Sequence, residues 1–391
     1  MRDSWSESQI ADVAEVLSGF AFKSEFFSES EGIPLIRIRD LQSRTKTEAF
    51  YTGEFDKQYE VNSGDFLIGM DGEFRCYEWI GPKALLNQRV CRIQSFDVTQ
   101  VVPRFIYFMI NHYLEEIENS TSYTTVKHIS TKQVREIRFP IPPLVEQRRI
   151  VDLMSAVDSY IAALQQQADA ARSARSAVLS ELLSAGGDDW TETTLGEVAT
   201  WGSGGTPLAK TQRYYDGDIP WCVIGDLTEG LVVVTEKSIT SEGLASSSAK
   251  IIEPGSVMIA MYGASIGRTG IAGMPMSTNQ AIAFASCNTA IIDNMFLLFY
   301  LQSQKDSFLR AGQGAAQLNI SQTVLKRWPI TLPSILEQQR IVGVISSIDL
   351  AIHSTERAVA DAKNLRSGLL SDLLSGDHKI PGSYDRLLGA A

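Results

Sequence analysis

PPLVEQRRIVDLMSAVDSYIAALQQQADAARSARSAVLSELLS, residues 142–184, and PSILEQQRIVGVISSIDLAIHSTERAVADAKNLRSGLLSDLLS, residues 333–375, align without a gap at an offset of 191 and are identical at 17 of 43 positions. The shared residues include Glu146/Glu337, Gln147/Gln338, Arg149/Arg340, Asp158/Asp349 and Arg175/Arg366. In the first copy one column runs Ile150, Val157, Leu164, Ala171, Val178, and a second runs Met154, Ile161, Ala168, Arg175, Leu182. Steps of four and three residues alternate, which is the period of a helix with one buried seam. The second copy gives Ile341, Ile348, Thr355, Ala362, Leu369 and Ile345, Ile352, Val359, Arg366, Leu373, with an arginine at the same seam position. Pro142-Pro143 and Pro333 mark the starts, and Gly186-Gly187 and Gly376 mark the ends. About forty helical residues rise about 60 Å. A stripe that long needs a partner, and the nearest is the other copy. The expected arrangement is an antiparallel pair with a globular domain at each end.

The repeat extends outward from the helices. DSWSESQIADVAEVLSG (3–19) lies over DDWTETTLGEVATWGSG (188–204), IPLIRIRDL (33–41) over IPWCVIGDL (219–227), and VNSGDFLIGMDG (61–72) over IEPGSVMIAMYG (252–263). Asn87-Gln88 lies over Asn279-Gln280, and His128-Ile129-Ser130 over Asn319-Ile320-Ser321. Such ordered self-similarity marks a duplication. The organisation is read as a first globular domain (1–139), a long helix (140–186), a second globular domain (187–328), a second long helix (329–376) and a tail (377–391). IPLIRIR, DFLIGM, RVCRI, IPWCVIG, SVMIAM and AIAFA are short apolar runs bounded by Gly, Pro or Asp, and they predict strands. The run from Phe105 to Ile110 and its copy from Phe296 predict a short core helix. The fold class is therefore α+β: two β-rich domains joined by two long antiparallel coiled-coil helices, with a pseudo-twofold internal repeat.

Composition narrows the function. The chain has 391 residues, 44% of them hydrophobic and 21% charged, as in ordinary globular proteins. No run of about 18 apolar residues exists, so no membrane span is expected. The opening MRDSWSESQ has no apolar signal region, which predicts a cytoplasmic protein. Cys76, Cys91, Cys222 and Cys287 are scattered, supporting neither a disulfide framework nor a zinc site. The net charge of −11 argues against a stand-alone nucleic-acid binder. Any DNA contact must use a local patch or help from a partner.

No catalytic constellation is found. Gly202-Ser203-Gly204-Gly205-Thr206-Pro207 lacks the lysine of a phosphate loop and reads as a tight turn. The histidines His112, His128, His353 and His378 have no metal-binding spacing, and no G-x-S-x-G elbow occurs. Ile141-Pro142-Pro143-Leu144 lacks the polar first residue and aromatic last residue of an amino-methyltransferase motif. Asp361-Ala362-Lys363 sits on a long helix without companion acids.

Two variable β-rich domains alternating with helices that open PPLVEQRRI and PSILEQQRI, together with GDFLIGMDGEF, LNQRV, TTVKHIS, GSGGTP and GDIPWCVIGDL, form an ordered set. Over about residues 5–376 this set resembles the DNA-specificity subunit of type I restriction-modification systems. The resemblance implies that each globular domain is a target-recognition domain reading one half of a bipartite site in double-stranded DNA. It implies that the helices form a spacer and dock two copies of a methyltransferase (M) subunit, with motor-nuclease (R) subunits joining for cleavage. S-adenosylmethionine, ATP and Mg are then expected on the partner subunits, no cofactor is expected on this chain, and the chain is not itself an enzyme. Helix length would set the gap between half-sites, at about 34 Å per DNA turn. Partners closing around the duplex would supply much of the phosphate neutralisation that an acidic chain lacks. A scaffold with two ligand domains on a coiled-coil rod would suit the same size, duplication and acidity.

Base edges are read mainly by Arg, Lys, Asn and Gln, and phosphates by Lys, Arg, Ser, Thr and backbone amides. In the first domain the candidates are Lys23, then Asp71, Glu73 and Arg75 with Gln88 and Arg89, then Tyr123, Thr124, Lys127 and His128. In the second they are Thr206, then Tyr262, Ser265 and Arg268 with Gln280, then Gln313, Gln317 and Asn319. Gln88 and Gln280 occur in both halves, which suits a structural or phosphate-binding role. Asp71 and Glu73 either accept from cytosine or pair with Arg75. At the helix starts Glu146, Gln147, Arg149 and Glu337, Gln338, Arg340 either cap the helix or contact the methyltransferase.

Overall fold

The computed structural model describes residues 5–120, 127–187, 190–312, 319–376 and 378–387. Two compact units emerge, Met1–Ala163 with Ala358–Ala391, and Leu164–Arg357. Each holds one globular segment and one half of each long helix. Those helices are Leu144–Ser184 and Ile335–Ser375, 41 residues apiece.

In the first unit a four-stranded antiparallel sheet has the order Glu15–Ser18, Val90–Gln94, Phe66–Gly69, Cys76–Glu78. A second sheet orders Phe27–Ser28, Phe50–Tyr51, Ile33–Ile36, Ala84–Leu86 and Glu60–Val61. Ser6–Gln9 pairs with Arg138–Ile141 and closes the segment on itself. The helix Pro103–Ser120 buries Phe105, Ile106, Phe108, Met109, Ile110 and Leu114 against the first sheet. Ile150 and Met154 of the first long helix and Leu373 of the second join that same core.

The second unit repeats the plan. Its main sheet runs Ala199–Ser203, Ile282–Cys287, Val257–Ala260, Thr269–Ala272, Leu231–Val232, and its second sheet runs Lys237–Ile239, Tyr215–Cys222, Met276–Thr278, Ile251–Ile252. Thr191–Thr194 pairs with Pro329–Leu332. The core includes Leu179 of the first long helix with Ile341 and Ile345 of the second.

The arginine at the seam now has a physical reason. In the first unit Arg366 donates to Asp158, Nη2 to Oδ2 at 3.1 Å, and its guanidinium sits 5.8 Å from the Phe108 ring centroid. In the second unit Arg175 donates to Asp349 at 3.0 Å and lies 5.2 Å from the Phe299 centroid. Each arginine thus meets the aspartate of the other copy and covers an aromatic ring. The halves run antiparallel within each unit. Ile150 and Met154 share a core with Leu373 where Asp158 meets Arg366, and Arg172 meets Glu356 where Arg175 meets Asp349.

Three expectations need correction. The strand expected from IPLIRIR stops at Ile36, and Ile38–Asp40 is a 3-10 turn. The Asp40 carboxylate accepts from the Arg37 and Glu48 amides at 2.9 and 3.3 Å, which bends the chain there. Asp226 does the same with Val223 and Glu236, at 2.8 and 3.0 Å. The core helix expected to be short spans 18 residues in the first unit, and in the second it breaks into Asn294–Ser303 and Lys305–Gly312. The glycine-rich run is the end of the strand Ala199–Ser203 and its continuation, not a tight turn. A Cβ on Gly204 would stand 2.0 Å from the Thr278 carbonyl oxygen, and one on Gly19 the same distance from that of Asn87. Glycine is required there by close backbone approach.

Replacing Asp158 by alanine leaves the partly buried Arg366 without its carboxylate. A loss of about 1.5–3 kcal/mol is expected, the range for a hydrogen bond to a charged group, read from the denaturant midpoint. The double change Asp158→Arg with Arg366→Asp should recover much of it. A midpoint that stays put in D158A would show the pair to be incidental.

Candidate nucleic-acid interface

In the first unit the turn between Phe66–Gly69 and Cys76–Glu78 carries Asp71, Glu73 and Arg75. Two neighbouring segments pin it through backbone hydrogen bonds. Gly72 N donates to Lys127 O and Ile129 N to Met70 O, each at 2.9 Å, around an isolated bridge between Asp71 and His128. From the other side Met70 N donates to Arg89 O at 2.9 Å, with Arg89 in the left-handed region at φ 69. Three chain-distant candidates therefore converge. His128 Nδ1 lies 2.5 Å from Asp71 Oδ1, and Arg89 Nε lies 3.6 Å from Asp71 Oδ2. His128 is 44% and Arg89 57% exposed, so both still offer polar atoms outward.

Arg75 and Lys127 are more confined. Arg75 donates to Phe74 O at 2.9 Å and to Glu118 Oε2 at 3.3 Å, with Glu73 3.4 Å away. Lys127 is only 12% exposed and donates to Glu118 O at 2.7 Å. Phe74 N also donates to the Glu118 carboxylate, at 2.9 Å. Glu118 ties the turn to the end of Pro103–Ser120. It escaped sequence reading because one glutamate on the polar side of an amphipathic helix carries no signal.

The second unit mounts its turn in the same way. Ile320 N donates to Met261 O and Met261 N to Ala281 O, each at 2.9 Å, around an isolated bridge between Tyr262 and Asn319. Gly263–Ser265 is a 3-10 turn that positions Ser265, and Arg268 precedes the strand Thr269–Ala272. Tyr262 is exposed. Thr206 donates its hydroxyl hydrogen to Gln280 Oε1, joining two more candidates. In the first unit Lys23 and Gln88 are exposed, Lys23 near Glu25 at 3.8 Å. Tyr123, Thr124, Gln313 and Gln317 lie outside the described residues. The repeated pairing of positions 71/262 with 128/319 was foreshadowed by the aligned His128-Ile129-Ser130 and Asn319-Ile320-Ser321. The side-chain cluster that it builds was not.

At the helix starts the structure separates the six residues. Gln147 and Gln338 are fully buried. Gln147 accepts from Val102 N at 2.8 Å and donates to Gln100 O and Pro142 O at 2.9 and 2.8 Å. Gln338 accepts from Asp293 N and donates to Ile291 O and Pro333 O, at 2.9, 3.0 and 3.0 Å. Neither can meet a partner subunit. Each fastens the start of its helix to the segment before the core helix. Glu146 accepts from the Trp5 indole at 3.1 Å. Arg149 forms a two-pronged contact with Asp385, whose carboxyl it holds below its usual range. Glu337 and Arg340 pair with one another at 2.6 and 2.8 Å on the surface, and Arg340 keeps the Glu337 carboxyl below its usual range.

Among the described residues no group of three or more His, Cys, Asp or Glu is placed to hold a metal ion, and no helix is long and apolar enough to cross a membrane. Replacing Gln147 or Gln338 by leucine strands one amide and two carbonyls in a buried site. An expected cost of about 1–3 kcal/mol would show as a lower denaturant midpoint of the corresponding unit, and an unchanged midpoint would contradict the fastening role.

Comparison with known proteins agrees with this geometry. Residues 2–171 and 187–361 match the family described as the type I restriction modification DNA specificity domain. The EcoBI specificity subunit of Escherichia coli, a type I restriction enzyme component, is 30% identical over 417 residues, spanning 96% of this chain and 87% of that one. Two solved structures share the fold. One is the S subunit of a type I restriction-modification system from M. genitalium, with TM-score 0.57, 15% identity and coverage of 95% and 96%. The other is a chain from work on complex assembly and conformational transition of the type I R-M system, with TM-score 0.65, 17% identity and coverage of 97% and 99%. With the family matched in both halves of the repeat, this chain belongs to the DNA-specificity subunits of type I restriction-modification systems.

Proposed function

We propose that this chain is the non-catalytic reading subunit of a cytoplasmic type I complex. Residues 1–139 and 187–328 each read one half of a bipartite double-stranded DNA site, and residues 140–186 and 329–376 carry the partner subunits. Two methyltransferase subunits would hold S-adenosylmethionine and modify adenine. Motor-nuclease subunits would use ATP and Mg. This chain supplies base recognition and binds no cofactor of its own.

One observation carries this reading. The same backbone mounting appears in both units, yet it displays different side chains: Asp71, Arg89 and His128 in one, Tyr262, Ala281 and Asn319 in the other. A device that reads two unlike half-sites needs one scaffold and two displays. The displayed groups can both donate and accept, as major-groove base edges require. A neutral His128 that donates from Nδ1 to Asp71 leaves its other ring nitrogen as an acceptor.

The net charge of −11 bears on how DNA is held. Phosphate neutralisation dominates affinity, and this chain brings little positive charge. The isolated subunit is expected to bind DNA weakly and with poor discrimination, and to gain both in complex with the methyltransferase. A tight, sequence-specific complex of the subunit alone at physiological salt would overturn that division of labour.

The deciding experiment maps methylated adenines in the source genome by single-molecule sequencing, with and without this gene. One bipartite methylation pattern should vanish on deletion. Exchange of residues 187–328 for those of a relative should alter one half of the motif and leave the other half intact. Unchanged adenine methylation on deletion would refute the function.

A further inference from the structure

Arg75 and Arg268 stand at the same place in the repeat. Each precedes the strand that follows the variable turn, and each carbonyl accepts from the strand before it: Gly69 N to Arg75 O at 3.3 Å, Ala260 N to Arg268 O at 2.8 Å. Their side chains differ in circumstance. Arg75 is latched to Glu118 and flanked by Glu73. The position 191 residues beyond Glu118 is Leu309, a partly buried apolar residue packed on the core of the second unit. Among the described residues Arg268 has no carboxylate partner. It lines an open groove with Thr228, Glu229, Ala264, Ser265 and Lys305, and the one acid there is taken by Lys305 at 3.0 Å. The groove therefore holds one uncompensated positive charge, on a half-buried arginine.

A guanidinium so placed is completed by two acceptors lying side by side. On duplex DNA the base edge with that pattern is guanine, through O6 and N7 in the major groove. We propose that Arg268 reads a guanine in the half-site of the second unit, whereas Arg75 is a structural latch that reads no base. The assignment rests on the DNA-reading function above and specifies its chemistry. The duplication has kept the arginine but not its acidic partner. One head thus offers the group to DNA, and the other spends it internally.

The test uses the full-length subunit expressed with its methyltransferase partners, with the methylated motif read by single-molecule sequencing. Arg268→Ala should relax one guanine position in the half-site assigned to residues 187–328, with discrimination there falling about ten- to a hundredfold. The other half-site should be untouched. Arg75→Lys, which keeps a cation beside Glu118 but loses the fork that a guanine needs, should leave every base of the motif in force. A uniform drop in methylation with all positions retained in R268A would mark a phosphate contact and overturn the proposal, as would an unaltered motif. Relaxation of a first-half base in R75K would overturn the latch. If the methylation pattern does not depend on this gene at all, the DNA-reading function fails first, and that result is distinct from an intact pattern indifferent to Arg268.

Discussion

A single exchange governs both units: an arginine from one long helix reaches the aspartate of the other. Arg366 takes Asp158, and Arg175 takes Asp349. A charged group in an apolar seam is tolerated only when it is paired and hydrogen-bonded. Each arginine also lies over a phenylalanine of the core helix, Phe108 or Phe299. The pair therefore locks long helix to long helix, and both to the globular segment. Because the partner always comes from the other copy, neither copy of the helix can complete either unit by itself. This makes the two halves of the sequence interdependent rather than two independent domains in tandem.

Display follows from that framework. The turn at residues 70–75 and its copy at residues 261–268 are each held by backbone hydrogen bonds from two neighbouring segments, with Met70 and Met261 each engaged through both amide and carbonyl. Recognition residues concentrate on loops positioned by a rigid scaffold, and here the scaffold is duplicated while the displayed groups have diverged. Asp71 and His128 form a side-chain hydrogen bond at 2.5 Å where the copy has tyrosine and asparagine.

Much of this was legible from residues alone. The heptad columns included Ile150, Met154, Ile341, Ile345 and Leu373, all of them buried, but they missed Leu179, which is buried beside the partly buried column residue Val178. The short apolar runs did form strands, because burial on a sheet face demands little more than β-compatible apolar residues at the right spacing. The misreadings share a cause. Arg37 and Val223 looked like strand residues, but a carboxylate three positions on captures their amides. Gln147 and Gln338 were read as helix caps or partner contacts, but each is buried and donates to a carbonyl more than forty residues back in the chain. In each case a polar side chain took up a backbone group that the apolar pattern does not register.

The sequence by itself determined that the fold is duplicated, that the long helices are seamed, and that the chain belongs among proteins built this way. Those properties live in periodicity and in matched order, which require no knowledge of distance. Only the tertiary structure decided which acid each arginine receives: Glu118 for Arg75, Asp349 for Arg175, and none for Arg268 among the described residues. Charge pairing falls off over a few ångströms, and the residues that meet stand 43 to 174 positions apart. Whether a basic side chain is free to read DNA is therefore settled by packing, not by the chain order that places it in a promising loop.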